Sequence, residues 1–522
     1  MLSHPIEALL ERLKTQKSLK HAAPDDTPIN VNRLTEKAGA AYEKLRYLVD
    51  YKDERHIRRS AIERIIKRKI IFEGGEDIGL SLIQELIAGR YLANNTIPES
   101  SAHEVERIIR KYKTVERHLP GDFRREPRAR NILTSLMGSE IEEFFFPNNE
   151  DDFVVDAFYQ SIADSIRVDA PLEESFIKTQ ILIACYRSLL NTDDETLRYK
   201  LWLSQMPPEW HTLEDEATLA NIAAHGKEIW NGIRTALTDP LSFRLLPKLT
   251  NYAIYFSIIR EVIRAYGAES ERILADHEGL KRFTRDFLEK NYKRQFAKAR
   301  GSAVRAVFYI FLTKMLLAIA LEVPYQIYFQ KGIEYVPIGT NILFHPLLLL
   351  VITISVRKLD DENTKAIEKG VHNVLSGESV RLIKINPKQT GFFNSLFLLV
   401  YSAMFLVVFG AIVFALQKLH FSPVSIFLFL CFLTLVSYFA LRIRHSANRW
   451  KVSREDTRTL ALAFNLFALP IVRAGRWLSR KFSSINLFVF VLDFIIETPF
   501  KLLLHFSDTF VSFLREKQED VY

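Results

Sequence analysis

The stretch VRAVFYIFLTKMLLAIALEVPYQIYF (residues 304–329) decides the fold class, because it is a mostly apolar run long enough to cross a bilayer. Three more such runs follow at residues 338–356, 392–416 and 422–443. A helix of ~17–25 apolar residues matches the ~30 Å hydrocarbon core of a membrane. The sequence therefore predicts an integral membrane protein with a four-helix transmembrane unit over residues 304–444.

The composition indicates two different halves. The chain has 522 residues, a net charge of +8 and 25% charged residues, yet its mean hydropathy is zero. A charged half joined to an apolar half gives that combination. We expect an all-α, polytopic helical membrane protein in which a large cytosolic helical domain (30–300) follows an amphipathic helix and linker (1–29). Residues 445–522 are expected to form basic, amphipathic interfacial helices.

Residues 30–300 are predicted to be helices joined by short turns. Apolar residues recur at helical spacing, and signals such as Pro120-Gly121, Asp193-Asp194 and Asp239-Pro240 mark the ends of helices. Thr192 is the expected cap of the helix that follows it. A compact domain and a short solenoid both fit this pattern. The helix near the N-terminus is expected to dock on a partner, on the membrane or on its own domain.

Basic residues alternate between the two sides of the predicted spans. They are dense before the first run, in the 357–390 loop and after the fourth run, and sparse in the two intervening loops. Under the positive-inside rule, the N-terminus, the 357–390 loop and the C-terminus are therefore cytoplasmic. The first residues lack the apolar core of a secretory signal. The bacterial plasma membrane is the expected location.

Three ionisable residues lie within the predicted spans. Glu322 and His345 fall at similar depth, since each lies seven residues from the outer end of its run. We expect a hydrogen bond between them, which acts either as a proton-responsive pair or as a static contact between spans. Lys314 is expected to extend its ammonium to the cytosolic interface. Pro324 and Pro346 each free a backbone carbonyl and predict kinks.

The C-terminal region is predicted to contact the inner leaflet. Trp450 and Trp477 accompany basic residues that suit an anionic surface. The expected lipid-contacting residues are Arg442, Arg444, Arg449, Lys451, Arg473, Arg476, Arg480 and Lys481. Further on, one helical face carries Asp493, Glu497, Lys501 and His505. That face favours an interfacial helix, although a fifth span over 485–506 stays open.

No catalytic, cofactor or metal motif is present in the sequence, so neither an enzyme nor a cofactor is predicted. The basic segment 52–70 is expected to be a solvated helix face, and nucleic acid is not an expected partner. The leading functional prediction is a membrane scaffold or regulatory protein that presents its cytosolic domain to a protein partner. The alternative is a transporter or channel subunit, acting as a homo-oligomer through Glu322 and His345. The bilayer, with its anionic inner leaflet, is a partner in either case.

Overall fold

The computed structural model describes residues 2–19, 27–31, 54–72, 78–147, 149–330, 332–354, 361–378, 382–385, 392–452 and 459–483. These residues are helical almost throughout, and the strands among them are two segments of three residues. The prediction of an all-α chain is therefore confirmed.

The chain divides into two compact units whose boundaries differ from the predicted domains. The first, here called the helical unit, comprises Pro5–Asp164 and Pro171–Thr250. The second, here called the span unit, comprises Met1–His4, Ser165–Ala170 and Asn251–Ile485. The apolar runs thus belong to a unit that begins well before residue 304, and the chain passes between the units several times.

Among the helices up to Tyr266, those that end at His118, Leu190 and Thr238 stop shortly before the turn signals seen in the sequence. The described helices are α1 His4–Leu19, α2 Glu54–Phe72, α3 Ile78–Ala88, α4 Ser100–His118, α5 Gly121–Arg124, α6 Pro127–Phe145, α7 Asn149–Ile162, α8 Glu174–Leu190, α9 Asp194–Leu203, α10 Glu216–Thr238 and α11 Pro240–Tyr266. The cap of α9 is Asp193, whose carboxylate accepts from the Thr196 amide at 3.3 Å. The expected cap, Thr192, was wrong by one residue, and its hydroxyl donates to the Tyr186 carbonyl at 3.2 Å.

Helix α1 packs on its own unit. Ile6, Leu9, Leu10 and Leu13 form its apolar face, and all four are buried. Arg12 on the same helix forms an ion pair with Asp156 on α7 at 3.1 Å. Of the three expected docking surfaces, α1 therefore uses the domain to which it belongs.

The remaining elements belong to the span unit. They are β1 Ile166–Val168, α12 Ser270–Ala275, α13 His277–Leu317, α14 Val323–Tyr325, α15 Tyr335–Ile354, α16 Asp361–Ser376, β2 Ile383–Ile385, α17 Phe392–Lys418, α18 Pro423–Ala447 and α19 Thr459–Ser483. Among the described residues, four helical stretches are long and apolar enough to cross a membrane: His277–Phe329, Tyr335–Ile354, Leu398–Lys418 and Pro423–Ala447.

The first of these stretches changes its helical register near Pro324. Ala318–Glu322 and Gln326–Gln330, on either side of α14, are π-helical. Proline has no backbone N–H, so the carbonyl one turn earlier loses its α-helical donor. Short π-helical segments accommodate such an interruption and often occur at functional sites.

Side-chain contacts join α13, α15 and α18 in one core. Ile310 on α13, Leu349 on α15 and Val436 on α18 are buried together. At the other end of α18, Leu416 on α17 packs with Phe429. Helix α17 is the least enclosed, since none of the 18 residues in its most apolar stretch is buried.

Two connections fix the segments outside the apolar helices. Strands β1 and β2 pair in parallel, with Ile166 opposite Ile383. The side chain of Asn363 on α16 donates to the Tyr292 hydroxyl at 2.8 Å and to the Trp450 carbonyl at 2.7 Å. Helix α16 is therefore tied both to α13 and to the segment after α18.

Candidate functional site

A chain of three buried polar residues connects the candidate spans. We call Lys314, Asn341 and Glu322 the buried polar chain. The Lys314 ammonium donates to Asn341 Oδ1, and Asn341 Nδ2 donates to Glu322 Oε1. All three residues are at most 2% exposed. An amide side chain has an acceptor for the cation at one atom and a donor for the anion at the other, so Asn341 bridges the opposite charges.

Two groups on α18 also contact the buried polar chain. The Lys314 ammonium lies 4.4 Å from the centre of the Phe432 ring. The Ser425 carbonyl accepts from Asn341 Nδ2 at 3.4 Å. A desolvated cation is attracted to the face of an aromatic ring, while an unpaired charge in such a place is costly. The three helices therefore meet around one cation and one anion.

The expected hydrogen bond between Glu322 and His345 was wrong. His345 Nε2 lies 3.0 Å from the Phe429 carbonyl, and Nδ1 lies 3.2 Å from the Asn341 carbonyl. His345 is fully buried and joins α15 to α18. Asn341 lies one turn before it on the same helix and takes the position next to Glu322. Matching depth was not sufficient, because the direction of each side chain around its helix also matters.

The expectation for Lys314 was also wrong. Its ammonium turns into the bundle towards Asn341 and does not extend along the helix to an interface. Only 2% of the residue is exposed. An ammonium extends to the interface when no group in the bundle can accept its hydrogen bonds, because that position then has the lower free energy. Here Oδ1 of the Asn341 side chain and the Phe432 ring provide the partners.

Two polar atoms of the buried polar chain and its surroundings have no hydrogen-bond partner among the described residues. They are Glu322 Oε2 and Gln326 Nε2. Both residues are at most 1% exposed, and they lie one turn apart on the first candidate span. Gln326 Oε1 accepts from the Glu334 backbone amide at 2.9 Å. A buried polar atom without a partner is uncommon and calls for an explanation.

Sequence reasoning missed Asn341 and Gln326. Each is a polar residue within an apolar run and lies four residues from an ionisable residue, Asn341 from His345 and Gln326 from Glu322. A spacing of four places two side chains on the same face of a helix. That signal was present and was not used, because neither amide is ionisable.

The basic residues of the C-terminal region lie on two elements. Arg442 and Arg444 belong to the last turns of α18, and Arg449 and Lys451 follow that helix. The second group, on α19, comprises Arg473, Arg476, Arg480 and Lys481. Asp493, Glu497, Lys501 and His505 lie outside the described residues.

Helix α19 packs against the sides of two candidate spans, which differs from the expected helix lying across their ends. Gly475 rests against the backbone of Thr434, in the middle of α18. Arg473 lies over the Tyr401 ring of α17, with its guanidinium 4.9 Å from the ring centre. Because Gly475 has no side chain, the two helices can approach closely there.

The helical unit contains a cluster with the donor types of a metal site. One ligand atom each from His56, Asp193 and Glu195 lies within 4.8 Å of the others. Nη2 of Arg59 lies among them, 2.9 Å from His56 Nδ1 and 2.6 Å from Asp193 Oδ2, and also donates to Glu195. The guanidinium therefore occupies the position that a bound cation would take.

The charges of that cluster stabilise each other. Burial would raise the pKa of Asp193, but hydrogen bonds from His56 and Arg59 outweigh it and lower the pKa well below its usual value. The expected solvated basic face of residues 52–70 is accordingly wrong at Arg59, which is 2% exposed. Its neighbour Arg58 pairs with Glu142 at 3.0 Å.

A second buried pair lies deeper in the helical unit. Lys111 Nζ and Glu140 Oε1 are 2.5 Å apart, with 2% of either side chain exposed. Trp210 Nε1 donates to the other carboxylate oxygen at 3.0 Å. Burial would raise the pKa of Glu140, but His211 and Lys111 outweigh it and lower that pKa. These bonds satisfy both carboxylate oxygens, so the pair is a structural contact.

Comparison of the chain with protein-family models, with curated proteins and with solved structures gives no match.

Proposed function

We propose that this chain is an integral membrane protein with four spans, whose termini and 357–390 loop face the cytoplasm of a bacterial cell. The support is the presence of four helices long and apolar enough to cross a membrane, together with the alternation of basic residues between successive loops. Arg442 and Arg444 then lie at the cytoplasmic end of the fourth span.

Its leading role in this proposal is that of a scaffold or regulatory protein that presents the helical unit to a protein partner. The observation that carries it is the independent core of that unit. Trp210, Tyr112 and Phe158 are each at most 1% exposed there. Anchoring alone does not require a folded unit of this size.

Native mass spectrometry of the full-length protein in a mild detergent, followed by cross-linking, tests the scaffold proposal. We expect a stoichiometric second protein that cross-links to exposed lysines of the helical unit, such as Lys178. Lys365, an exposed residue of the span unit, serves as the internal control. A homo-oligomer without a second protein, or a partner that cross-links only at the span unit, would contradict the proposal.

The buried polar chain favours a second candidate, a transporter or channel subunit that acts as a homo-oligomer. Charged residues within spans commonly mark ion or proton pathways. In liposomes, this candidate predicts a flux that depends on a pH gradient and is abolished by Glu322→Gln. The exposed carboxylate variant Glu362→Gln is the control and should retain the flux. Equal flux in both variants would exclude Glu322 from the pathway.

A further inference from the structure

We propose that Glu322 is a proton-binding site, reached through Gln326 from the loop that contains Glu334. This inference concerns the ligand of the buried polar chain and does not depend on the scaffold proposal. It is valid for a transporter and for a protein that only senses pH.

The first observation is the complementarity of the two unpartnered atoms. Glu322 Oε2 is an acceptor and Gln326 Nε2 is a donor, and neither has a hydrogen-bond partner among the described residues. Both residues are almost completely buried. A water molecule between a carboxylate oxygen and an amide N–H would satisfy both groups. The same water would offer a proton to the carboxylate.

The second observation is the connection of Gln326 to the surface. Its Oε1 accepts from the Glu334 backbone amide at 2.9 Å. Residues 332–336 are exposed, so this hydrogen bond joins Gln326 to an exposed loop, and the proposed water would complete the path to the Glu322 carboxylate. The π-helical segments on either side of α14 lie along this part of the chain. Both observations place the entry at the end of the span that is far from Lys314.

The third observation is the charge balance around the buried polar chain. Glu322 interacts with Lys314 on its own span, with Asn341 on α15 and with Ser425 on α18. The other titratable groups, His345 on α15 and Cys431 on α18, lie near the Lys314 ammonium. With Glu322 ionised and Lys314 charged, the buried polar chain is neutral. A second buried anion beside Lys314 is absent among the described residues. The carboxylate is thus the group whose charge compensates the ammonium.

Proton binding changes this balance by one charge. The proton comes from water at the loop and forms an O–H bond at Glu322 Oε2, and no other covalent bond changes. The carboxylic acid keeps its carbonyl oxygen as an acceptor for Asn341 Nδ2. Lys314 is then a buried cation without a compensating anion, which weakens the contact between α13 and α15. Protonation is therefore coupled to the packing of these two helices.

Infrared difference spectroscopy of the full-length protein in lipid vesicles tests the site, with the proton as the probe. On acidification we expect the C=O band of a carboxylic acid in apolar surroundings. The band should be lost in Glu322→Gln and retained in Glu362→Gln. A band that persists in Glu322→Gln overturns the proposal. So does the absence of the band in the wild type down to the pH at which circular dichroism detects unfolding.

A second variant keeps the test decisive if Glu322→Gln does not fold. Gln326→Leu leaves the carboxyl intact and removes the amide donor that would hold the proposed water beside the ionised carboxylate. We expect the midpoint of the infrared titration to move to higher pH by about one unit. Gln417→Leu, which changes an exposed glutamine on α17, should leave the midpoint unchanged. Equal midpoints for all three proteins would refute the route through Gln326.

These spectra require neither flux nor a protein partner. A titrating Glu322 without a pH-driven flux would retain the proton site and reject the transporter. A stoichiometric partner without a titrating Glu322 would retain the scaffold and reject the proton site.

Discussion

Replacing Asn341 with leucine tests whether the buried polar chain stabilises the span unit. Leucine has nearly the same size, so it removes the two hydrogen bonds to charged partners and creates little cavity. Each hydrogen bond to a charged group contributes ~1.5–3 kcal/mol. Both charges stay buried at 2% exposure or less. We therefore expect Asn341→Leu to lower the free energy of unfolding by about 3–6 kcal/mol.

The assay is reversible unfolding in mixed micelles, followed by circular dichroism. Thr340→Val is the matched control, since it removes a polar group from the adjacent, half-buried position of α15. The control should cost less than ~1 kcal/mol. An average hydrogen bond between spans contributes only ~0.6 kcal/mol. A loss below ~1 kcal/mol in Asn341→Leu would refute the view that the bridge compensates two buried charges.

Three further outcomes are expected. Lys111→Met leaves a carboxylate buried without its cation and should cost about 3–5 kcal/mol in urea unfolding, whereas Lys178→Met, at an exposed position, should leave the urea midpoint almost unchanged; equal losses would contradict this. The pKa of Asp193 is lower in the folded state than in the unfolded state. Its contribution to the free energy of unfolding is therefore fully present above pH ~3.9, the unfolded pKa, and is lost as pH falls from there towards the folded pKa. Asp193→Asn should reduce this acid sensitivity in urea midpoints measured against pH, and an unchanged slope would contradict the assignment. Gly475→Leu would push a side chain into the backbone of α18 and should speed amide hydrogen exchange in α19; unchanged exchange would refute that packing.

The helices were predictable from the sequence because their signals are local. Turn residues such as Asp239 mark helix ends wherever the tertiary structure places them. The length of an apolar run likewise reports on one segment at a time. These features do not depend on which helices are neighbours.

The candidate site was only partly predictable, because it depends on rotation as well as depth. Glu322 and His345 were matched by the rise per residue along their helices. The π-helical segment Ala318–Glu322 contains an extra residue per turn. It therefore changes the direction in which Glu322 points relative to Lys314. Asn341, which has no charge to attract notice in a sequence, is the residue that this rotation brings to Glu322.

The pairing of β1 with β2 has a consequence for the order of synthesis. Ile166 is synthesised long before its pairing partner Ile383. Ser3 is likewise synthesised long before Leu375, to whose carbonyl its amide donates at 2.7 Å. At ~5–20 residues per second, the ribosome needs roughly 10–40 s to make the segment between the two strands. Both early segments keep unpaired backbone groups until the first two apolar helices have been made. The edge of β1 therefore stays without its partner strand throughout the synthesis of these helices, so an unpaired β1 would mark nascent chains in which the span unit is still incomplete.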